Sequence, residues 1–160
     1  MFNSISQRNN RTENTLKERI FMAKNAKEEA LKILDKNMIG TMATVQHNKP
    51  HSRYMTFFNE EFTLYTATSK KTHKAEELQQ NPNTHILLGY DGHGLGDSFL
   101  EIEGTVIESD DEAMKEKVWN KALKGWFEGP EDPDLLILKV TPTQMRLMNT
   151  KGEEPQVIEL

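Results

Sequence analysis

Residues 50–82 read P-H-S-R-Y-M-T-F-F-N-E-E-F-T-L-Y-T-A-T-S-K-K-T-H-K-A-E-E-L-Q-Q-N-P. Two runs rich in aromatic and β-branched residues, 51–58 and 62–67, flank a short polar turn and predict two adjacent strands. A short helix is expected over 72–80. It should end before Asn81-Pro82, because proline disfavours helical backbone in the residue before it.

The turn between the second strand and this helix collects groups that favour an anion. Its hydroxyl groups and cations belong to Thr68, Ser69, Lys70, Lys71, Thr72 and Lys74. Hydroxyl donors, cationic side chains and a helix N-terminus together favour an anionic group, phosphate above all. Tyr54 and Tyr65 lie on the preceding strands, where a planar group can lie against the same surface. A phosphate site beside a flat surface built from strands suggests a nucleotide-like cofactor.

The rest of the chain predicts an α+β fold that is mainly β. Residues 1–15 are polar and without periodicity, so we expect a flexible leader. Thr15 and Glu18 have capping-box spacing, which predicts a helix from Thr15 to about Asn37. The other predicted elements are strands over 39–46, 84–90, 98–108, 135–140 and 144–149, a helix over 110–124, and a hairpin loop over 91–97. Short antiparallel hairpins would suit a small barrel, but the pattern alone does not separate a barrel from a sandwich.

Composition and charge exclude several classes of protein. The chain has 160 residues, which predicts one domain over 16–160. The net charge of −5 gives no reason to expect nucleic acid as a partner. Cysteine is absent, which excludes disulfides, thiol nucleophiles and cysteine-based metal sites. With no long apolar run and no signal-peptide pattern, we expect a cytoplasmic protein without a membrane span. The histidines lack metal-ligand spacing, so no metal site is expected.

Several motifs together resemble those of a known family. They are S-R-Y-M at 52–55, L-Y-T-A-T at 64–68 and T-H-K-x-x-x-L-x-x-N-P at 72–82. Their order and spacing resemble the pyridoxamine 5'-phosphate oxidase-like flavoproteins. The run W-F-E-G-P-E-D-P-D-L-L-I-L-K-V-T-P at 126–142 is similar to the general stress protein 26 branch. The resemblance implies an antiparallel FMN-binding split β-barrel with a few flanking helices, which forms a homodimer with the flavin at the interface.

The resemblance also implies which residues contact FMN. Thr72, His73 and Lys74 match the family's phosphate-binding motif, and Tyr65 and Thr66 match its pair beside the flavin. The full set of expected cofactor-binding residues is Ser52, Arg53, Tyr54, Met55, Tyr65, Thr66, Thr72, His73 and Lys74. Without the motif, these residues are also compatible with a surface ion pair, ordinary strand packing and a solvated helix face. The catalytic residues are unknown, and none is required, because flavin performs hydride and electron transfer itself.

The sequence is compatible with two functions. One is an FMN-dependent oxidoreductase that takes electrons from a nicotinamide nucleotide, NAD(P)H, and passes them to a small-molecule redox substrate. The other is a non-catalytic stress protein that stores, buffers or senses FMN. A third possibility keeps the barrel and changes the ligand to haem or deazaflavin. Many relatives carry an aromatic pair on the last strand, where this chain has Leu147 and Met148. Trp126 is a further candidate for lining the flavin cavity.

Overall fold

This computed structural model describes residues 2–94, 97–120, 123–149, 152 and 154–160, with side chains from residue 13 onward. These residues contain eight strands and three α-helices. The helices are α1 (Phe2–Lys36), α2 (His73–Gln80) and α3 (Glu112–Val118), followed by a 3-10 turn (Leu123–Gly125). The strands are β1 (Ile39–Gln46), β2 (Lys49–Thr56), β3 (Phe58–Glu60), β4 (Thr63–Ser69), β5 (Asn83–Leu88), β6 (Ser98–Ser109), β7 (Leu135–Asn149) and β8 (Gln156–Val157).

The strands form one antiparallel sheet that does not close on itself. Its order is β2-β1-β5-β6-β7-β4-β3, and β8 pairs with β7. Both β2 and β4 contribute residues to a single cavity, so these two parts of the sheet approach each other without pairing. This confirms the predicted mainly β, α+β split barrel. No helix among the described residues has an apolar run long enough to cross a bilayer.

The core lies on one face of the sheet and under two helices. Residues Ala26, Ala30, Ile33 and Leu34 share one face of α1 and are buried, which is the helical spacing of an apolar stripe. Their partners include Met42, Ile86, Leu100, Ile102 and Leu138 from the sheet and Ala75 and Leu78 from α2. Ile137 faces the other side of the sheet and packs in a second cluster with Met114 and Val118 of α3. The start of β7 is therefore covered on both faces, which explains its continuous apolar sequence.

The first helix is longer than the sequence predicted. It begins at Phe2, so Thr15 lies inside it and the predicted N-cap at Thr15 was wrong. Residues 2–36 contain neither glycine nor proline, and nothing in their sequence interrupts helical backbone once it has formed. The domain boundary after Thr15 and the flexibility of residues 1–15 stay predictions.

The last long strand is continuous, whereas the sequence predicted two strands separated at Pro142. The register against β6 shifts between Glu103 and Gly104, and Thr143 is the extra residue of a β-bulge. The bulge admits a proline, which cannot donate to the ladder. It also changes which residues face the core. Even-numbered residues such as Leu138 pack in the main core before the bulge, and odd-numbered residues such as Met145 pack there after it.

Helix α3 is shorter than the predicted helix over 110–124. The carboxylate of Asp111 accepts a hydrogen bond from the Met114 N–H at 3.2 Å and caps the helix. Trp119, at the other end, has extended backbone and stops it. Residues 121 and 122 lie outside the described part of the chain, as do residues 95 and 96 of the predicted hairpin loop and residue 151 of the predicted final turn.

Gly40 on β1 allows a close approach between strands. A Cβ at Gly40 would lie 2.6 Å from the Leu87 carbonyl oxygen and 3.3 Å from the Leu88 side chain. We predict that Gly40→Ala lowers the free energy of unfolding in urea by about 1–3 kcal/mol, because β1 and β5 must move apart. The control is Gly125→Ala, where nothing lies within 4 Å of the added carbon and the change should stay within about 0.5 kcal/mol. Equal midpoints for the two variants would contradict this account.

Candidate functional site

A cavity of about 700 Å³ lies where β2 and β4 approach each other, within the usual size range of ligand sites. It is lined by Tyr54, Met55, Thr56, Phe58, Ala67, Thr68, Ser69, Lys71, Thr72, Lys74, Asn120, Leu123, Trp126, Phe127 and Asp134. The end of β4 and the start of α2 supply hydroxyl groups and lysines. Leu123, Trp126 and Phe127, from the segment that leads to β7, share the aromatic and apolar surface with residues of β2, β3 and β4. The cavity therefore offers both a cationic, hydrogen-bonding region and an aromatic one.

The polar region is built by the turn from β4 into α2. The Thr72 hydroxyl donates to the Ser69 carbonyl oxygen at 2.9 Å, and the Thr68 and Thr72 hydroxyl oxygens are 3.3 Å apart. Thr72 is the N-cap residue of α2, yet its side chain makes no capping hydrogen bond to the helix. The helix N-terminus therefore presents its positive dipole end to the cavity without a side-chain oxygen over it.

Lys74 is a half-buried cation without an anionic partner. Its Nζ donates to the Thr68 hydroxyl at 3.0 Å, and no carboxylate of the described residues forms an ion pair with it. Burial and the charge of Arg53 together lower the pKa of Lys74 to about 8, against the opposing effect of the Glu77 charge. An anion bound beside the ammonium group would stabilise its charged form.

Arg53 lies next to this region, in a network formed with Thr44, His51 and Glu77, which we call the Glu77 network. Glu77 accepts hydrogen bonds from the Thr44 hydroxyl, from Arg53 Nη2 at 3.0 Å and, at 2.9 Å, from His51 Nδ1 when that nitrogen is protonated. Arg53 Nη1 donates to the Thr44 hydroxyl oxygen at 2.6 Å. Burial acts to raise the pKa of Glu77, but the hydrogen bonds and the charge of Arg53 outweigh it, so that the pKa lies below its usual value.

The structure brings together only some of the residues predicted to bind the cofactor. Tyr54, Met55, Thr72 and Lys74 line the cavity, and Arg53 belongs to the adjacent network. The remaining four, which do not line it, are Ser52, Tyr65, Thr66 and His73.

Strand alternation and helix position place these four residues elsewhere. Ser52 is exposed on the face of β2 opposite Arg53. Tyr65 is buried against α3, and its hydroxyl donates to Glu60 Oε2 at 3.3 Å. Thr66 is fully buried, and its hydroxyl has no hydrogen-bond partner in the described structure. The side chain of His73 is 92% exposed at the start of α2. Contact of these residues with a cofactor stays a prediction.

Other residues of the site carried weak sequence signals or none. Trp126 lines the cavity, as its motif suggested, together with Phe127. Lys71, one of the cations of the turn from β4 into α2, lies at the cavity and pairs with Asp134 at 2.5 Å. Glu77 was missed, although it lies one helical turn after Lys74. Leu147 and Met148 stand on β7, where many relatives carry an aromatic pair. Neither residue lines the cavity.

Comparison with known proteins identifies the family. The family model described as pyridoxamine 5'-phosphate oxidase matches residues 26–149. The chain belongs to the pyridoxamine 5'-phosphate oxidase family. It is 49% identical over 134 residues to general stress protein 26 of Bacillus subtilis (strain 168), which covers 84% of this chain and 96% of that protein. The predicted family and its general stress protein 26 branch are therefore confirmed.

Solved structures agree with this assignment. The crystal structure of general stress protein 26 from Bacillus anthracis str. Sterne is 34% identical and superposes with a TM-score of 0.75, covering 84% of this chain and 98% of that one. A pyridoxamine 5'-phosphate oxidase-related, FMN binding protein from Nostoc punctiforme PCC 73102 shares the fold at 20% identity and a TM-score of 0.59, covering 88% of this chain and 86% of that one.

The pKa values of the two cavity lysines should be shifted in opposite directions from the ordinary value. We predict that Lys74 titrates near pH 8 and that Lys71 titrates above its ordinary 10.5, because the hydrogen bond with Asp134 raises its pKa. NMR of the lysine side-chain nitrogens measures both, with Lys74→Arg and Lys71→Arg as assignment controls. Because the pKa of Lys74 is lower in the folded state, its charge costs stability below pH 8, and that cost disappears as the pH rises from about 8 to 10.5. Identical midpoints for the two lysines would contradict the geometry.

Proposed function

We propose that this protein is an FMN-binding flavoprotein. The observation that carries the proposal is Lys74, a half-buried ammonium group that faces a cavity without an anionic partner among the described residues. The phosphate of FMN would lie against Lys74, Thr72 and the start of α2. The family supports a flavin, and the Nostoc punctiforme relative is described as FMN binding.

The residues present fit the ring of FMN as well as its phosphate. Phe58, Trp126 and Phe127 give the cavity aromatic surface that suits a planar ring. β2 pairs only with β1 in the described sheet, so the backbone groups of its other edge are free of a strand partner. Residues 54–56 of this strand line the cavity. The carbonyl and N–H groups of the flavin pyrimidine match the hydrogen-bonding groups of a strand edge.

The chain's own residues bind, orient and shield the cofactor. Lys74 balances part of the phosphate charge, and the aromatic side chains exclude water from the ring. When bound, FMN would supply the two-electron redox chemistry between a nicotinamide nucleotide as donor and a small-molecule acceptor. No side chain of the cavity has to act as an acid or base.

We also propose that the protein is a cytoplasmic homodimer. Tyr54 and Trp126 line the cavity, yet they are 80% and 83% exposed. Large aromatic groups exposed together are typical of a surface that another protein covers. A second copy placed over this opening would bury them and enclose the flavin. Sedimentation of a monomer at micromolar concentration would contradict the dimer.

Lys74→Ala tests the phosphate site. We predict that it weakens FMN binding about 10- to 150-fold, equivalent to about 1.5–3 kcal/mol for a charge-assisted hydrogen bond. Flavin fluorescence titration measures the dissociation constants. Riboflavin, which has no phosphate, should bind the variant and the parent protein equally.

Lys71→Ala is the matched control, since Lys71 is an exposed lysine of the same cavity that already pairs with Asp134. Its FMN affinity should change less than about threefold, as for other exposed ion pairs. An unchanged FMN dissociation constant in Lys74→Ala would refute the phosphate assignment.

Catalysis and storage are separated by a turnover assay. As an oxidoreductase, the FMN-loaded protein should oxidise NADH or NADPH continuously when a quinone acceptor is supplied, at rates above those of free FMN. Oxidised nucleotide and reduced quinone should appear in equal amounts. Tight FMN binding without turnover for a panel of acceptors would support the storage or sensing role instead. The absorption spectrum of the purified protein distinguishes flavin from haem or deazaflavin.

A further inference from the structure

A buried carboxylate lies beside the region proposed for a phosphate. The side chain of Glu77 is 3% exposed and sits three residues after Lys74 on α2. A negative charge there opposes the binding of an anion, and burying a charge is costly unless it is fully paired. Its presence in this position calls for a role that outweighs the repulsion.

The geometry of the Glu77 network provides such a role. One oxygen of Glu77, Oε2, accepts hydrogen bonds from both Thr44 and Arg53, and Arg53 also donates to Thr44. These three side chains form a closed ring of hydrogen bonds. A ring of this kind fixes the plane of the guanidinium group, which a single exposed ion pair would not do. The ring uses two of the five N–H groups of Arg53, one on each terminal nitrogen.

The network also joins the paired strands β1 and β2 to helix α2, which lies outside the sheet. Thr44 is on β1, Arg53 on β2 and Glu77 on α2. Lys74 is on the same helix as Glu77, so the carboxylate fixes the distance between the Arg53 strand and the Lys74 helix. The two cations are close enough for the charge of Arg53 to lower the pKa of Lys74.

We propose that Glu77 is a positioning residue of the phosphate site: through Arg53 it sets the guanidinium group beside Lys74, so that the two cations act together on one phosphate monoester. This inference rests on the proposed FMN site. It differs from a purely structural ion pair, which would stabilise the fold without affecting the choice between ligands. It also differs from a simple charge effect, in which Glu77 would only weaken the binding of anions.

Two substitutions of Glu77 separate geometry from charge. Glu77→Asp keeps the charge but is one methylene shorter, so it cannot complete the ring with Arg53 and Thr44. Glu77→Gln keeps the length and one acceptor oxygen and removes the charge. The measured quantity is the preference for FMN over riboflavin, the ratio of their dissociation constants in fluorescence titrations. Damage to the fold alone would weaken both ligands and leave this ratio unchanged.

We expect Glu77→Asp to lower the preference about tenfold, the effect of one lost charge-assisted hydrogen bond. Glu77→Gln should retain it within about threefold. Arg53→Lys should lower the preference for FMN by a similar factor, because lysine lacks the forked guanidinium group. The double variant with Glu77→Asp and Arg53→Lys should show no greater loss than Arg53→Lys alone. An unchanged preference in Glu77→Asp, or an equal loss in Glu77→Gln, would overturn the inference.

A second variant and the parent protein itself complete the test. If Glu77→Asp does not fold by circular dichroism, Thr44→Val replaces it, because it removes the hydroxyl that holds Arg53 Nη1 and leaves Glu77 in place. The same loss of preference is expected from it, and an unchanged preference overturns the inference. If the parent protein binds FMN no more tightly than riboflavin, the proposed FMN site itself fails, and this result is distinct from any result on the variants.

Discussion

The buried carboxylate of Glu77 is the contact on which the geometry of the site depends. β2 and β4 do not pair in the open sheet. No ladder of backbone hydrogen bonds therefore holds β2 at a fixed distance from the end of β4, where α2 begins. Side chains have to supply that connection, and Glu77 supplies it through Arg53, His51 and Thr44. A fully paired buried charge tolerates little displacement, since any movement leaves a charge without a partner. The Glu77 network therefore ties α2 to the β1–β2 hairpin at the open part of the sheet.

The two cations of this region have different surroundings, and the difference explains how the proposed anion site is compatible with an acidic protein. Arg53 is ion-paired with Glu77, whereas Lys74 has a hydroxyl as its hydrogen-bond partner. A cation with an anionic partner contributes its field even without a ligand. A cation without such a partner gains the most stabilisation when an anion binds. The net charge of −5 thus says little about the local potential, which a few residues of α2 and β2 determine.

Local sequence patterns predicted the elements well and their long-range contacts poorly. Alternation predicted the observed bounds of β1, and the helix predicted over 72–80 is observed as α2, His73–Gln80, with Thr72 as its N-cap. The cavity residues closest to that turn were predicted for the same reason. The Glu77 network was missed, because its members are separated by up to 33 residues and meet only through strand register. The continuous β7 was missed because Pro142 suggests an interruption, and only the partner strand reveals the bulge that accommodates it.

The bulge at Thr143 reconciles two halves of β7 that have opposite parity. Its inward-facing positions are even-numbered before the bulge, as at Val140, and odd-numbered after it, as at Met145. A regular strand with the same residues would bring the wrong parity to one half. Arg146, with its partners Glu101 and Glu103, would then point into the apolar interior, and Leu147 would point to water. Loss of the extra residue would instead leave the pairs of Gly104 with Pro142 and of Glu103 with Gln144 in place and restore ordinary alternation, so this short segment should accept a one-residue deletion better than the paired parts of β7.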